Sequence, residues 1–261
     1  MKRFLESGEA VTEVMDFITI VGILILSFSL IGLAGYPILE SAQKTRYTEN
    51  TRQSFVVLAD NINKVALGQA PSQSAELKMY GGTLGVVRVS TIQINGTVFN
   101  ETSYSNESLT VDLPMYSIEN SIGDNVVAYE GTGVWVKYPT GTVLNAYKPL
   151  ITNMSDVLII PVVYITGKSA ISGSGMSRVT VCQQELPTEE GGCGMPSVTI
   201  FRNVSNITVT ITGDYSEGWR DYFINTMKWS YDPGETYTAK LNTAKNLDLY
   251  IVQSRIYTVI T

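Results

Sequence analysis

The segment FITIVGILILSFSLIGLAGY, residues 17 to 36, carries no charged side chain and constrains the chain more than any other stretch. As a helix rising 1.5 Å per residue it spans about 30 Å, the thickness of a bilayer core. A cleavable secretory segment is shorter and ends in a small-x-small site. Here the run passes directly into PILESAQKTRYTENTRQSFVVLADNINKVALGQA, so the segment is expected to stay in the mature chain. Lys2 and Arg3 lie before the run and Lys44, Arg46 and Arg52 after it, so charge alone leaves its orientation open.

Beyond the run the helical pattern continues. Ile38, Leu39, Ala42, Phe55, Val56, Leu58, Ala59, Ile62, Val65 and Ala66 recur at steps of three and four, and Glu40 and Lys44 are spaced for an i,i+4 ion pair. Pro37 is expected to kink this helix without ending it. The organisation read from the pattern is a stalk helix over residues 9 to 69, transmembrane over 17 to 36, followed by a β-rich extracellular domain over 70 to 261.

In that second part, LGVVRVSTIQI, LTVDLPMY, NVVAYEG, GVWVKY, DVLIIPVVYITG, SRVTVCQ, SVTIFRN and NITVTITGD are β-branched or alternating runs separated by Gly, Pro, Asn and Ser. SEGWRDYFINTMKW interrupts them with Trp219, Tyr222, Phe223 and Met227 on one helical face, a pattern that reads as a helix packed on a sheet. The fold class is therefore α+β: a long N-terminal transmembrane and stalk helix, a mainly antiparallel β-sandwich or twisted sheet, and one short helix in the C-terminal half. ITGKSAISGSGMS, residues 165 to 177, reads as a hairpin loop.

Composition narrows the function classes. There is no His in 261 residues, which removes Ser-His-Asp and Cys-His nucleophile systems and most zinc chemistry. The net charge of -6 leaves no basic stripe for phosphates, so nucleic acid is not an expected partner. No cofactor or metal site is expected, and the chain does not read as an enzyme. An enzymatic alternative would need a carboxylate pair, Asp214 with Glu217 or Asp124 with Glu130. A calcium site in a hairpin loop is a further open alternative.

Two features point outside the cell. Asn95, Asn100, Asn106, Asn153, Asn203 and Asn206 each open an N-x-Ser/Thr glycosylation sequon, all after the apolar run. With 15 Asn and 50 Ser plus Thr in 261 residues, chance gives about three, so the pattern favours glycosylation over a Thr- and Asn-rich surface that makes sequons by composition. Cys182 and Cys193 bracket QQELPTEEGG, and a pair this close across a hairpin is expected to close a disulfide. Two inert thiols and a metal half-site are the alternatives.

The N-terminus carries a resemblance. Gly8 is followed by Glu9 and, five residues after the Gly, by Glu13; Asp16 then abuts the apolar run. This resembles the class III leader of type IV prepilins, in which a prepilin peptidase cuts after the Gly. The resemblance implies removal of residues 1 to 8, a new N-terminus at Glu9, and a role for Glu13 in compensating the terminal ammonium of a neighbouring subunit. Twelve large apolar residues of the run favour lipid and a bundle of like helices almost equally, so a carboxylate beside them, Glu13 or Asp16, is suited to select register between subunits. The bland alternative places both at the membrane interface as helix caps. VVAYEGTGVWVKY (126 to 138), LIIPVVYITGKSAISGSG (158 to 175) and ITVTITGDYSEGWRDYFINT (207 to 226) in turn resemble the ordered blocks of an uncharacterised family of archaeal surface proteins with a pilin-like helix. Together these imply a pilin-like subunit of an extracellular filament, partnered by its own copies or other pilins and by the membrane, with a possible adhesive role. The alternative is a monomeric, membrane-anchored surface or envelope protein.

Overall fold

The computed structural model describes residues 3–100, 102, 104–167, 170–183, 196–231, 237–241 and 245–261, with the side chains of residues 3–11 and 88–89 outside the description. The chain divides into two units, Met1–Arg46 and Tyr47–Thr261.

Helix α1, Arg3–Ala66, contains Pro37 and continues on both sides of it. In the first unit its side chains are exposed almost throughout, including Phe17, Ile23, Leu26, Phe28, Leu30 and Leu33. Thr19, Ser27 and Ser29 return their hydroxyls to the carbonyls of Met15, Ile23 and Ile25, so these three hydroxyls are satisfied within the helix. Lys44 and Glu40 form the i,i+4 pair at 2.9 Å.

In the second unit the same helix is amphipathic. Thr48, Thr51, Phe55, Leu58, Ala59, Ile62, Asn63, Val65 and Ala66 are buried, one face at steps of three and four. That face packs into a core with Leu77, Met79, Leu84, Ile118, Tyr129, Val134, Val179, Ile256 and others. Gly68, at φ 74, ends the helix in the left-handed conformation, its N–H and that of Leu67 donating to the carbonyls of Val65 and Asn63. Two side chains from far along the chain add donors at this end: Gln183 donates to Val65 O and Ser254 to Ala66 O.

The described strands form one sheet: β1 (Ser72–Asn100), β2 (Ser105–Ile122), β3 (Asn125–Glu130), β4 (Gly133–Lys137), β5 (Val143–Tyr147), β6 (Thr152–Asn153), β7 (Val157–Thr166), β8 (Ala170–Cys182), β9 (Ser197–Gly213), β10 (Ser230–Tyr231), β11 (Thr238–Lys240) and β12 (Leu247–Ile260). The order is β10-β11-β9-β12-β8-β1-β2-β3-β4-β5, with β7 beside β12 and β6 beside β7. Pairing is antiparallel apart from β7 with β12. Bulges at Tyr80/Gly82 and Arg88/Ser90 interrupt the long β1. At Gly82 an added Cβ would lie 1.7 Å from Ser121 O, so only glycine admits this close backbone approach. A second core gathers Ile92, Ile94, Trp135, Leu158, Ile160, Val209, Trp219, Phe223, Trp229 and Leu249 with their neighbours.

The mainly antiparallel sheet, the N-terminal helix and the short C-terminal-half helix agree with the expected class. Three local expectations are corrected. Residues 170 to 177 are not loop but the start of β8, paired with β1. The β7–β8 connection is not a two-stranded hairpin, because β12 lies between the two strands. The disulfide expectation is overturned as well: Cys182 is a free thiol. Its cross-strand neighbours are Ser72 and Tyr257, and β12 separates β8 from β9, so these two strands are not a hairpin pair. Cys193 itself lies outside the described residues.

The interrupting helix is shorter than its apolar pattern. α2, Ser216–Asp221, passes into a π-helical turn, Tyr222–Thr226. Trp219, Tyr222 and Phe223 are buried, and Met227 packs at the margin of the same core, so the segment is a packing element on the sheet.

Candidate functional site

One side of the chain's chemistry is the apolar run itself. From Val14 to Leu39 the large apolar residues of α1 are exposed apart from the half-buried Val21, Phe28 to 69% and Leu33 to 76%. A helix apolar on every side is at home only in a medium as apolar as itself. Its length and composition suit a membrane span, and with the β-domain they make this a membrane-anchored protein carrying a globular domain. Glu13 and Asp16 are exposed on the helix at the N-terminal side of the run. The backbones of Gly8 and Glu9 lie within α1, and their side chains are not described.

The second concentration of polar chemistry lies deep in the β-domain, at the turn between β3 and β4. Gly131 and Thr132 adopt φ of 56° and 68°, the positive pair of a tight hairpin turn. Gly131 is required there for space as well, since an added Cβ would come within 2.5 Å of the Trp219 ring. Thr132 tolerates its conformation because it is pinned: its Oγ1 accepts from Leu150 N at 2.9 Å and its carbonyl accepts from Asn63 Nδ2 at 3.0 Å. Asn63 Oδ1 accepts from the Tyr129 hydroxyl at 2.9 Å, which ties α1 to the hairpin through a buried amide. Burial pushes the Tyr129 phenol well above its ordinary range.

Glu130 precedes this turn and is fully buried. Its two carboxyl oxygens accept from Trp219 Nε1 at 2.9 Å and Ser90 Oγ at 2.7 Å, and its backbone carbonyl accepts from Trp135 Nε1 at 3.1 Å. No cation pairs with it among the described residues. Loss of water raises its pKa to about 7; the two hydrogen bonds work against that shift, and the charges of Glu119 and Asp214 add to it. Glu119 accepts from Tyr215 OH at 2.8 Å and Ser117 Oγ at 2.7 Å. Trp135, Trp219, Phe223 and Trp229 pack ring against ring in that order, with centroids 4.7 to 5.9 Å apart.

The carboxylate pairs considered from sequence are not assembled as acid and base. Asp214 faces Lys137 at 3.5 Å and Glu217 faces Arg220 at 3.8 Å, each with its own cation. Asp124 is exposed in the turn before β3, and Glu130 is buried at the far end of that strand, about 20 Å along an extended chain. What the arrangement can do is hold or release one proton inside a rigid aromatic core. In the sequence Glu130 stands out only as the partner of Asp124 in the enzymatic alternative, and nothing in that pairing marks it as buried. The available signal was its position between VVAY and the Gly-x-Gly-Val-Trp turn, with strand residues on both sides too apolar to leave it in water.

The sequons occupy the β-domain unequally. Asn106, Asn153 and Asn206 are exposed, and Asn95, Asn100 and Asn203 are half-buried.

No solved structure matches the chain. An uncharacterized protein of Archaeoglobus fulgidus is 27% identical over 116 residues, covering 44% of this chain and 36% of its own length. The chain thus spans about a third of the relative it matches. Residues 10–259 match the model of a family of unknown function, DUF7289, and the chain belongs to that family.

Proposed function

We propose that this protein is a cell-surface or envelope protein that α1 anchors in the membrane while its β-domain is displayed on the outer side. The observation that carries the reading is the exposed apolar stretch of α1, which the described residues leave uncovered from Val14 to Leu39. The exposed Asn106, Asn153 and Asn206 support an aqueous setting for the domain. The test is fractionation of native membranes combined with protease treatment of intact cells. The expected result is retention in alkaline-washed membranes and release of the β-domain by added protease. Recovery in the soluble fraction overturns the anchor, and complete protection on intact cells overturns the outward display.

A second reading is a pilin-like subunit, supported by the Gly8 to Glu13 spacing and by a helix that is apolar all round and therefore as compatible with a bundle of its own copies as with lipid. The mass of the mature N-terminus separates the two. A chain beginning at Glu9 favours the pilin route, and a chain retaining Met1 favours the tether. On the pilin route Glu13→Ala leaves membrane insertion intact and abolishes or scrambles assembly in sheared surface material. Filaments of normal form from that variant would remove Glu13 from the register role.

A further inference from the structure

We propose that N-linked sugar is carried by Asn106, Asn153 and Asn206, and not by Asn95, Asn100 or Asn203. This rests on the outward display proposed above. The six sequons are spread over more than a hundred residues of chain, yet the fold gathers them at one end of the sheet. Asn106 stands opposite Phe99, Asn100 opposite Ser105, and Asn95 opposite Thr208, so β2, β1 and β9 bring five of them to one corner. Asn153 joins them across a single cross-strand row, Asn153 to Leu158 to Leu249 to Phe201, about 14 Å at the usual strand spacing.

Within that corner the side-chain amides divide by what they already do. Asn100 Nδ2 donates to Glu107 Oε1 at 2.7 Å while its Oδ1 accepts from Thr102 N at 2.9 Å, a closed Asx turn at the β1–β2 end. Asn203 Oδ1 accepts from Asn246 Nδ2 at 2.7 Å, and its backbone N–H is held by Asp248 at 3.1 Å. Asn95 sits on the middle strand of β2-β1-β9 with its amide on Gln93 at 3.3 Å. Its face is lined by paired hydroxyls, Thr91 with Thr212 at 2.6 Å and Thr210 with Thr238 at 2.8 Å. The Asn95 sequon is thus the product of a Thr-rich sheet face.

The other three are exposed, with no side-chain hydrogen bond among the described residues. Asn206 is turned out by a bulge in which two residues of β9, Asn206 and Ile207, oppose Gly96 alone, and Asn206 takes φ 51°. Gly96 is what lets the strands close at that point, since an added Cβ would lie 2.9 Å from Val204 Cγ1. Asn153 lies on the two-residue strand β6 and Asn106 in the exposed opening residues of β2. In the transfer, the asparagine nitrogen bonds the anomeric carbon of a lipid-linked sugar phosphate. The carbon–oxygen bond to phosphate breaks, the lipid phosphate leaves with the electron pair, and the amide proton passes to the transferring enzyme's base. An exposed amide with no bond to surrender meets that geometry.

Peptide mass spectrometry of the full-length protein from native membranes, with protease treatment of intact cells in parallel, tests the assignment. The expected outcome is one glycan mass on each of the peptides holding Asn106, Asn153 and Asn206, and unmodified peptides for Asn95, Asn100 and Asn203. Asn106→Gln, Asn153→Gln and Asn206→Gln should each remove one glycan mass from the intact protein, while Asn95→Gln removes none. Glycan on Asn95, Asn100 or Asn203 overturns the assignment. So do bare peptides at the three exposed sites when protease still releases the domain, in which case the outward display stands. A domain protected from protease and free of glycan overturns both.

Discussion

Glu130 is a carboxylic acid sealed in an aromatic core, and its free energy depends on pH in a definite direction. Its folded pKa of about 7 lies above the ordinary value of 4.5, so the folded state binds the proton more tightly than the unfolded chain does. The penalty for ionising it is absent below about pH 4.5, grows as pH rises to about 7 and is complete above that, reaching about 3 kcal/mol. Glu130→Gln, which keeps an acceptor for Trp219 and a partner for Ser90, should flatten that slope. Denaturant titrations of the full chain in detergent between about pH 4 and 8 should show the variant matching wild type at the acid end and exceeding it at the alkaline end. An unchanged slope would place the proton elsewhere. Cys182 offers a simpler check: alkylation of the unfolded, unreduced protein should modify it, as expected of a free thiol.

At the scale of elements, the helix face and the β3–β4 turn hold the domain together. Leu58 is 1% exposed between α1 and the sheet, so Leu58→Ala should cost about 2 to 5 kcal/mol in the same titrations. Gly131→Ala combines a φ of 56° with a contact of 2.5 Å to Trp219 and should cost at least about 1 kcal/mol. A loss confined to a few tenths would mean that the Trp219 ring yields freely. The helix face was legible in the sequence because a period of 3.6 survives any tertiary context. Its end was legible only in part. The pattern runs to residue 69, whereas α1 ends at Ala66 because Gly68 turns left-handed and Gln183 and Ser254 take the last carbonyls. The start of β8 was unreadable for a related reason. AISGSGMS has the composition of a loop, and it becomes strand because β1 supplies the complementary ladder from Gly85 back to Leu77.

For the whole molecule, the apolar run governs location. Leu26→Lys places a charge at the middle of the span, a change worth about 3 kcal/mol on insertion scales, and should shift protein from the alkaline-washed membrane to the soluble or aggregated fraction. Retention equal to wild type would argue that the segment lies against protein instead of lipid. The same scale shows why the disulfide expectation failed and why Asp124 and Glu130 do not form a pair. Asp124 and Glu130 are six residues apart in the chain, yet one is in water and the other in the core. Cys182 and Cys193 are close in sequence, but β12, from the far end of the chain, separates β8 from β9.

Local chemistry by itself determined the membrane-length helix, its amphipathic continuation, the predominance of strands and the short aromatic helix, because periodicity, charge and β-branching act over a few residues and need no partner. The tertiary structure alone decided which strands are neighbours, which acid lost its water, that Cys182 stayed free and which asparagines face solvent. Those outcomes depend on segments distant in sequence arriving at one place, and a linear pattern carries no record of what will stand across from it.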